Sequence, residues 1–281
     1  MTVLGIGWVA GVVWAVGGCG VDACTEPEGG VVVQPGLGGQ VSVELLRAVD
    51  YEGSLQDDFY ASAEFYSDPE PERRLISFAS RVGWADLSSS FPGLGIDECE
   101  PAVAPKGGFC EHGVGPGHLA LWGPSGVVRP RSRGGCSNTA SPGTGFFSSE
   151  GAYALIGFGS ESVGRFAVEF SAPGDFVVTE PAAPPGTLFT APRDEELSLR
   201  WTASGQDEFL IVELAAIEGT WRCRFRNDGA ATVPVEVLSA FSGGFRLVLY
   251  TYRTFEFRPP CVESKVGGLF LVASQFGVSL E

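Results

Sequence analysis

Histidine, the usual general base of hydrolytic enzymes, occurs only twice in this chain, at His112 and His118. A serine triad of the hydrolase type also needs a sharp strand-to-helix turn around its nucleophile. The nearest segment, Ser160-Glu-Ser162-Val-Gly164, lacks the first glycine of that turn. The 34 acidic residues could supply paired carboxylates for glycoside cleavage, but no spacing singles out one pair. We therefore predict no catalytic residues and keep a carboxylate-dependent hydrolase as an alternative.

Thiol, imidazole and carboxylate groups could also bind metal ions. A possible zinc set has the right softness and number for tetrahedral coordination, but its spacing matches no common zinc finger. Its members are Cys110, His112, His118 and Cys136. Acidic clusters such as Asp97-Glu98-Cys99-Glu100 suit calcium, yet no EF-hand loop surrounds them. We predict neither a metal nor another cofactor.

Three arginines alternate with apolar residues in the segment Trp221-Arg222-Cys223-Arg224-Phe225-Arg226. On a strand, this spacing places the guanidinium groups on one face and the apolar trio on the other. Such a basic face could bind an anion, for example a lipid phosphate or an acidic polysaccharide. The interpretation we favour is a solvent-facing row that pairs with acidic residues across the sheet.

The start of the chain has the pattern of an export signal. No charged side chain precedes Asp22, and residues 3–16 are apolar apart from glycines. The segment Val16-Gly17-Gly18-Cys19 resembles the lipobox of bacterial lipoproteins. That resemblance implies removal of residues 1–18 and acylation of Cys19, which would anchor the protein at a membrane outside the cytoplasm.

Two alternatives to the lipid anchor stay open. Cleavage after Gly17 would release a soluble secreted protein. An uncleaved membrane-spanning helix is the other, but the many glycines of this segment make it a poor helix, at roughly 1 kcal/mol each relative to alanine.

The cysteine count agrees with an anchor, because seven cysteines leave one unpaired in an exported protein. Without Cys19, six cysteines can form three disulfides in an oxidising compartment. These six are Cys24, Cys99, Cys110, Cys136, Cys223 and Cys261. The pairs we predict are Cys99–Cys110 and Cys223–Cys261, which leaves Cys24–Cys136 by elimination.

The net charge and composition exclude some classes of partner. A formal net charge of −16 repels phosphate backbones, so nucleic-acid binding is not expected. The chain combines 40 glycines and 19 prolines with 11% aromatic residues, which is typical of folded strands joined by many turns rather than of disorder.

Short segments of alternating apolar and polar residues recur along the chain and predict strands. They are 41–45, 59–65, 75–84, 118–122, 153–158, 166–170, 197–201, 209–214, 221–225, 245–251 and 269–280. A long irregular region is expected over 88–117, a turn at Asn227-Asp228-Gly229, and one helical turn over 233–238.

These signals predict an all-β fold of two tandem antiparallel β-sandwich domains. The signal peptide (1–18) is followed by a flexible tether (19–40). The N-terminal sandwich would then span 41–180, a proline-rich linker 181–186, and the C-terminal sandwich 187–281.

The body of the chain is similar to modules that recur in uncharacterised envelope lipoproteins of myxobacteria. The similarity lies in Leu197-x-Leu199-x-Trp201-Thr202, Asn227-Asp228-Gly229 and Thr232-Val233-Pro234, and in Val163-Gly164-Arg165-Phe166 and Thr179-Glu180-Pro181. It implies sandwich domains related in architecture to fibronectin type III or immunoglobulin folds. That group has no assigned activity, so the resemblance implies no site residues.

Together these observations predict a non-enzymatic, lipid-anchored protein of the bacterial envelope, with the outer membrane as the expected location. Its role would be structural or in recognition of an envelope protein or polysaccharide. A secreted carbohydrate-binding module is the first alternative, with Trp84, Trp122 or Trp201 as the exposed aromatics. Trp201 shares a strand face with Leu197 and Leu199, so we expect it in the core.

Overall fold

The computed structural model describes residues 38–49, 55–66, 95–102, 118–129, 131–132, 137–140, 145–159, 164–203, 209–258 and 266–281. The strands in these ranges are β1 Gly38–Val49, β2 Leu55–Tyr66, β3 Glu98–Ala102, β4 Leu119–Gly123, β5 Gly126–Val128, β6 Arg131–Ser132, β7 Ser137–Ala140, β8 Ala152–Gly157, β9 Phe166–Ser171, β10 Phe176–Glu180, β11 Leu188–Ala191, β12 Leu197–Ala203, β13 Phe209–Ala216, β14 Gly219–Arg226, β15 Ala230–Val233, β16 Phe245–Phe257 and β17 Val266–Leu280. A short helix, α1, is Val235–Leu238. The predicted all-β fold class is confirmed.

The strands form three sheets. The largest has the order β3-β14-β13-β16-β17-β1-β2-β7-β6, and β11 also pairs with β17. The other two are β5-β4-β8-β9 and β10-β12-β15. Two pairs of the large sheet, β1–β17 and β11–β17, are parallel, which corrects the expectation of purely antiparallel sheets.

One hydrophobic core joins all three sheets. The alternation that predicted the strands places one face of each in this core, as in β9, where Phe166, Val168 and Phe170 are buried between exposed neighbours. Aromatic rings connect the layers: Phe170 of the four-stranded sheet stacks on Phe255 of the large sheet, with ring centroids 4.5 Å apart. We call this cluster the main core.

The large sheet is buried on its other face as well. Along β16, Leu247 and Leu249 belong to the main core, whereas Val248 and Tyr250 belong to a second cluster. The second cluster also contains Ile211, Leu271 and Ala273, so it crosses three neighbouring central strands. Strands buried on both faces lose the strict apolar–polar alternation, as the sequence of β16 shows.

The predicted linker does not divide the sheets. The ranges 41–180 and 187–281 both contribute strands to the large sheet, through the pairs β1–β17 and β3–β14, and both contribute to the main core. The linker itself is held against β17, where the Gly186 N–H donates to the carbonyl of Gln275. Within the described residues, strands from both expected sandwiches therefore share one sheet and one core. The division into two domains at 181–186 stays a prediction.

Trp201 links the predicted turn to the core. Its side chain is buried, as expected, and its indole N–H donates to Oδ1 of Asn227 at 2.8 Å. Gly229 has a φ of +99°, and a Cβ there would lie 3.0 Å from the carbonyl oxygen of Trp201. Glycine is favoured at this position for both reasons. The predicted helical turn is also present, as α1 after Pro234.

Several short strands were not predicted from the sequence. β3 lies inside the region 88–117 that was expected to be irregular, and β5, β6, β7, β11 and β15 were not predicted either. The predicted strand 75–84 lies outside the described residues. β1 begins at Gly38, so the last three residues of the expected tether are part of a strand.

Candidate functional site

Many of the predicted site residues lie outside the described ranges. These residues are Cys19, Cys24, Cys110, Cys136 and Cys261, together with His112 and Trp84. Among the described residues, no group of three or more His, Cys, Asp or Glu side chains could hold a metal ion. No helix in the described ranges is long and apolar enough to cross a bilayer.

The two described cysteines form a disulfide with each other. Cys99 on β3 and Cys223 on β14 lie directly opposite in the antiparallel register, with their Cα atoms 4.0 Å apart. The predicted pairs Cys99–Cys110 and Cys223–Cys261 are therefore both wrong. Those predictions favoured partners close in sequence, whereas sheet pairing joins cysteines separated by 124 positions.

The basic strand β14 has the predicted division into two faces. Cys223 and Phe225 are in the main core and Trp221 packs against it. Arg222 lies on the opposite face but does not reach solvent, since its side chain is only 1% exposed. The prediction that these arginines face solvent is therefore wrong for Arg222, because the second face of the large sheet is itself buried. Arg226, at the end of the strand, is exposed.

A buried ion pair lies at the centre of this face. Nη2 of Arg222 is 3.1 Å from Oε2 of Glu213, its direct cross-strand partner on β13, and the Glu213 side chain has no solvent exposure. On its other side, Arg222 is in register with Glu100 of β3. Acidic residues are therefore opposite the arginine, as predicted. The Arg222–Glu213 pair is buried, and a buried charge needs an oppositely charged partner, whereas Glu100 is half-buried.

Arg224 lies two residues after Arg222 on β14. Its guanidinium carbon is 3.7 Å from the ring centroid of Phe209, and its register partner on β3 is Glu98. The cationic group therefore contacts an aromatic ring, an arrangement that stabilises a partly desolvated arginine. Two of the three predicted arginines, Arg222 and Arg224, therefore contact other side chains of the sheet.

Burial perturbs the acid–base properties of this cluster. It raises the pKa of Glu213 to about 7, although the positive charges of Arg222 and Arg246 oppose the shift. Burial also raises the pKa of Tyr250 well above its usual range. For Arg222, burial lowers the pKa, but the negative charges around it, including that of Glu213, outweigh burial and leave it raised.

A carboxyl group with a pKa near 7 has the acidity of a general acid in catalysis. Glu213 nevertheless has no solvent exposure, so no substrate can contact it in this structure. The cluster therefore acts on stability rather than on a ligand. Sequence reasoning missed Glu213, although a lone acid within the apolar strand Leu210-Ile-Val-Glu-Leu214 is a signal for a buried partner.

The raised pKa of Glu213 predicts a pH-dependent stability. The folded protein holds this proton more tightly than the unfolded chain, so the contribution is complete below about pH 4.5 and is lost as the pH rises through about 7. At about 1.4 kcal/mol per pKa unit, this amounts to roughly 3–4 kcal/mol. Urea unfolding at pH 5 and pH 8 should show a smaller pH dependence for Glu213→Gln than for the wild type. The exposed control Glu169→Gln should keep the wild-type difference, and an unchanged Glu213→Gln profile would contradict the prediction.

Among the tryptophans proposed for sugar binding, Trp122 has an accessible side chain. It is 36% exposed on β4, and its cross-strand partner on β5, Val127, is 43% exposed. Trp201 is buried. An exposed aromatic and an exposed aliphatic side chain are therefore adjacent on one sheet face.

Comparisons with protein-family models, with curated proteins and with solved structures find no significant match. The resemblance to envelope lipoproteins thus rests on the motifs quoted above.

Proposed function

We propose that this protein is an exported, non-enzymatic lipoprotein of the bacterial envelope, anchored through Cys19, with a structural or recognition role at the outer membrane. The Cys99–Cys223 disulfide is the observation that carries the proposal. Disulfides persist in oxidising compartments and are rare in the cytosol. This bond therefore supports export, independently of the signal-like start of the chain.

The lipobox-like segment supports anchoring over simple secretion. A single acyl chain holds a protein on a membrane only weakly, while several chains give stable attachment. The diacylglyceryl group and the added acyl chain implied for Cys19 would satisfy that condition. The mature chain would carry the whole net charge of −16, which favours solubility of the body at a surface.

Labelling with a palmitate analogue in the producing cells tests the anchor. We expect the wild type to be labelled and to sediment with membranes, and Cys19→Ser to lose both properties because the acylated sulfur is missing. Cys24→Ser is a matched control, since it removes a nearby thiol and should keep full labelling.

Two outcomes of this experiment would contradict the proposal. Equal labelling of Cys19→Ser would exclude Cys19 as the acylation site. An unlabelled wild type found in the medium would instead support the soluble secreted alternative.

A further inference from the structure

The outer face of the four-stranded sheet differs from the other described surfaces in its exposed aromatic residues. The inner face of this sheet belongs to the main core, through residues such as Leu121, Leu155 and Val168. Successive residues of a strand point to opposite faces, so Trp122, Ala154 and Glu169 point outward. Their burial agrees, because Trp122 and Glu169 are exposed and Ala154 is half-buried.

These three residues form one row across the sheet. Trp122 of β4 is in register with Ala154 of β8, which is in register with Glu169 of β9. Two strand spacings therefore separate the tryptophan from the carboxylate, about 10 Å between Cα atoms. Only the methyl group of Ala154 lies between them, so the row has a large aromatic side chain at one end, a small side chain in the middle and a carboxylate at the other end.

A second exposed aromatic residue lies further along the same face. Phe158 is 45% exposed, and its N–H donates to the carbonyl of His118 at 2.9 Å, which extends the β4–β8 pairing by one residue. It is four positions beyond Ala154, which places it roughly 14 Å along the strand direction. Between the two rings lies the row Ala120, Ile156 and Ala167, in which Ala120 is buried, Ile156 is half-buried and Ala167 is exposed.

Two separated exposed aromatic rings on one sheet face suit an extended, amphipathic ligand. The C–H faces of sugar rings are apolar and pack against aromatic side chains, while their hydroxyl groups can donate hydrogen bonds to a carboxylate such as Glu169. The distance between Trp122 and Phe158 fits an oligosaccharide segment rather than one sugar ring.

The charge of the protein narrows the class of glycan. Glu169 is exposed at one end of the row, and the chain has a net charge of −16. Both repel a polyanion, so uncharged glycans are favoured over uronic-acid or sulfated ones. We propose that the outer face of β5-β4-β8-β9 binds a linear, neutral polysaccharide, with Trp122 and Phe158 as stacking platforms and Glu169 as a hydrogen-bond acceptor.

This proposal rests on the proposed surface location, because that location would bring the face into contact with glycans. Affinity electrophoresis of the full chain in detergent tests it independently of anchoring. The gels would contain mixed-linkage β-glucan, xylan or galactomannan, with polygalacturonate as the anionic comparison. We expect at least one neutral polymer to retard the wild type and polygalacturonate to have no effect.

Two alanine variants test whether the retardation depends on this sheet face. Trp122→Ala and Phe158→Ala should each weaken the retardation about tenfold, as loss of a central aromatic contact commonly does. Ile217→Ser is the matched control, because it removes a fully exposed apolar side chain from the β13–β14 turn and should bind like the wild type. Thermal unfolding would verify that each variant is folded.

Three results would overturn the proposal. They are no retardation by any neutral polymer, equal retardation of Trp122→Ala and the wild type, and retardation by polygalacturonate alone. Failure of Cys19 labelling together with glycan binding that depends on Trp122 would reject the anchor and keep this site.

Discussion

Arg222→Met is expected to lower the free energy of unfolding by about 3–5 kcal/mol at pH 8, because it leaves the Glu213 carboxylate buried without its cross-strand partner. A smaller loss is expected at pH 5, where Glu213 can bind a proton and becomes neutral. Urea unfolding followed by tryptophan fluorescence measures both values. The two-state character of the transition should be checked with a second probe.

Two further variants separate the ion pair from the loss of a long side chain. The double variant Arg222→Met/Glu213→Leu removes both charges and should recover most of the lost stability, since apolar replacements of buried pairs are often well tolerated. Arg226→Met is the matched control on the same strand and should change stability by less than about 0.5 kcal/mol, because its side chain is exposed. A loss below about 1 kcal/mol for Arg222→Met would show that the pair is not essential.

Removal of the Cys99–Cys223 disulfide should cost about 2–5 kcal/mol. The bond closes a loop over a sequence separation of 124, which restricts the unfolded chain strongly in the chain-entropy description. It also attaches β3, a strand of five residues at the edge of the large sheet, to β14. Unfolding of Cys99→Ala under oxidising conditions measures the loss.

The stability losses of the two single cysteine variants should not add, because both variants lack the same disulfide. Cys99→Ala and Cys223→Ala each remove the same covalent bond, so the double variant should be scarcely less stable than either single variant. If the losses instead add, the two cysteines contribute only as packed side chains. Peptide mapping without reductant should recover a peptide pair that joins the two positions in the wild type.

Local patterns were sufficient to place most of the long strands. Alternation in Phe166–Phe170 and Leu197–Trp201 predicted β9 and β12, and it also predicted the core position of Trp201. The turn at Asn227-Asp228-Gly229 and the helical turn after Pro234 followed from residue types with strong backbone preferences. These features depend on neighbours in sequence, which is why they could be predicted.

Local sequence patterns could not predict which distant strands pair with each other. Nothing in the local sequence around Cys99 indicates that β3 lies beside β14, or that β1 lies beside β17. The burial of Arg222 was missed for a related reason, since alternation shows which residues share a face but not whether that face is covered. The nearly continuous apolar character of Leu247-Val-Leu-Tyr250 was the available signal that the large sheet is buried on both sides.

The position of β17 has a consequence for the order of folding. This strand separates β16 from β1 in the large sheet, and it also pairs with β11, so four strands meet there. Until the ribosome has added residue 280, the hairpin of β1 and β2 has one unpaired edge that could associate with other chains. Pairings of such long range form slowly. The central sheet can therefore be completed only after β17 has been synthesised, when all of its partner strands are already present.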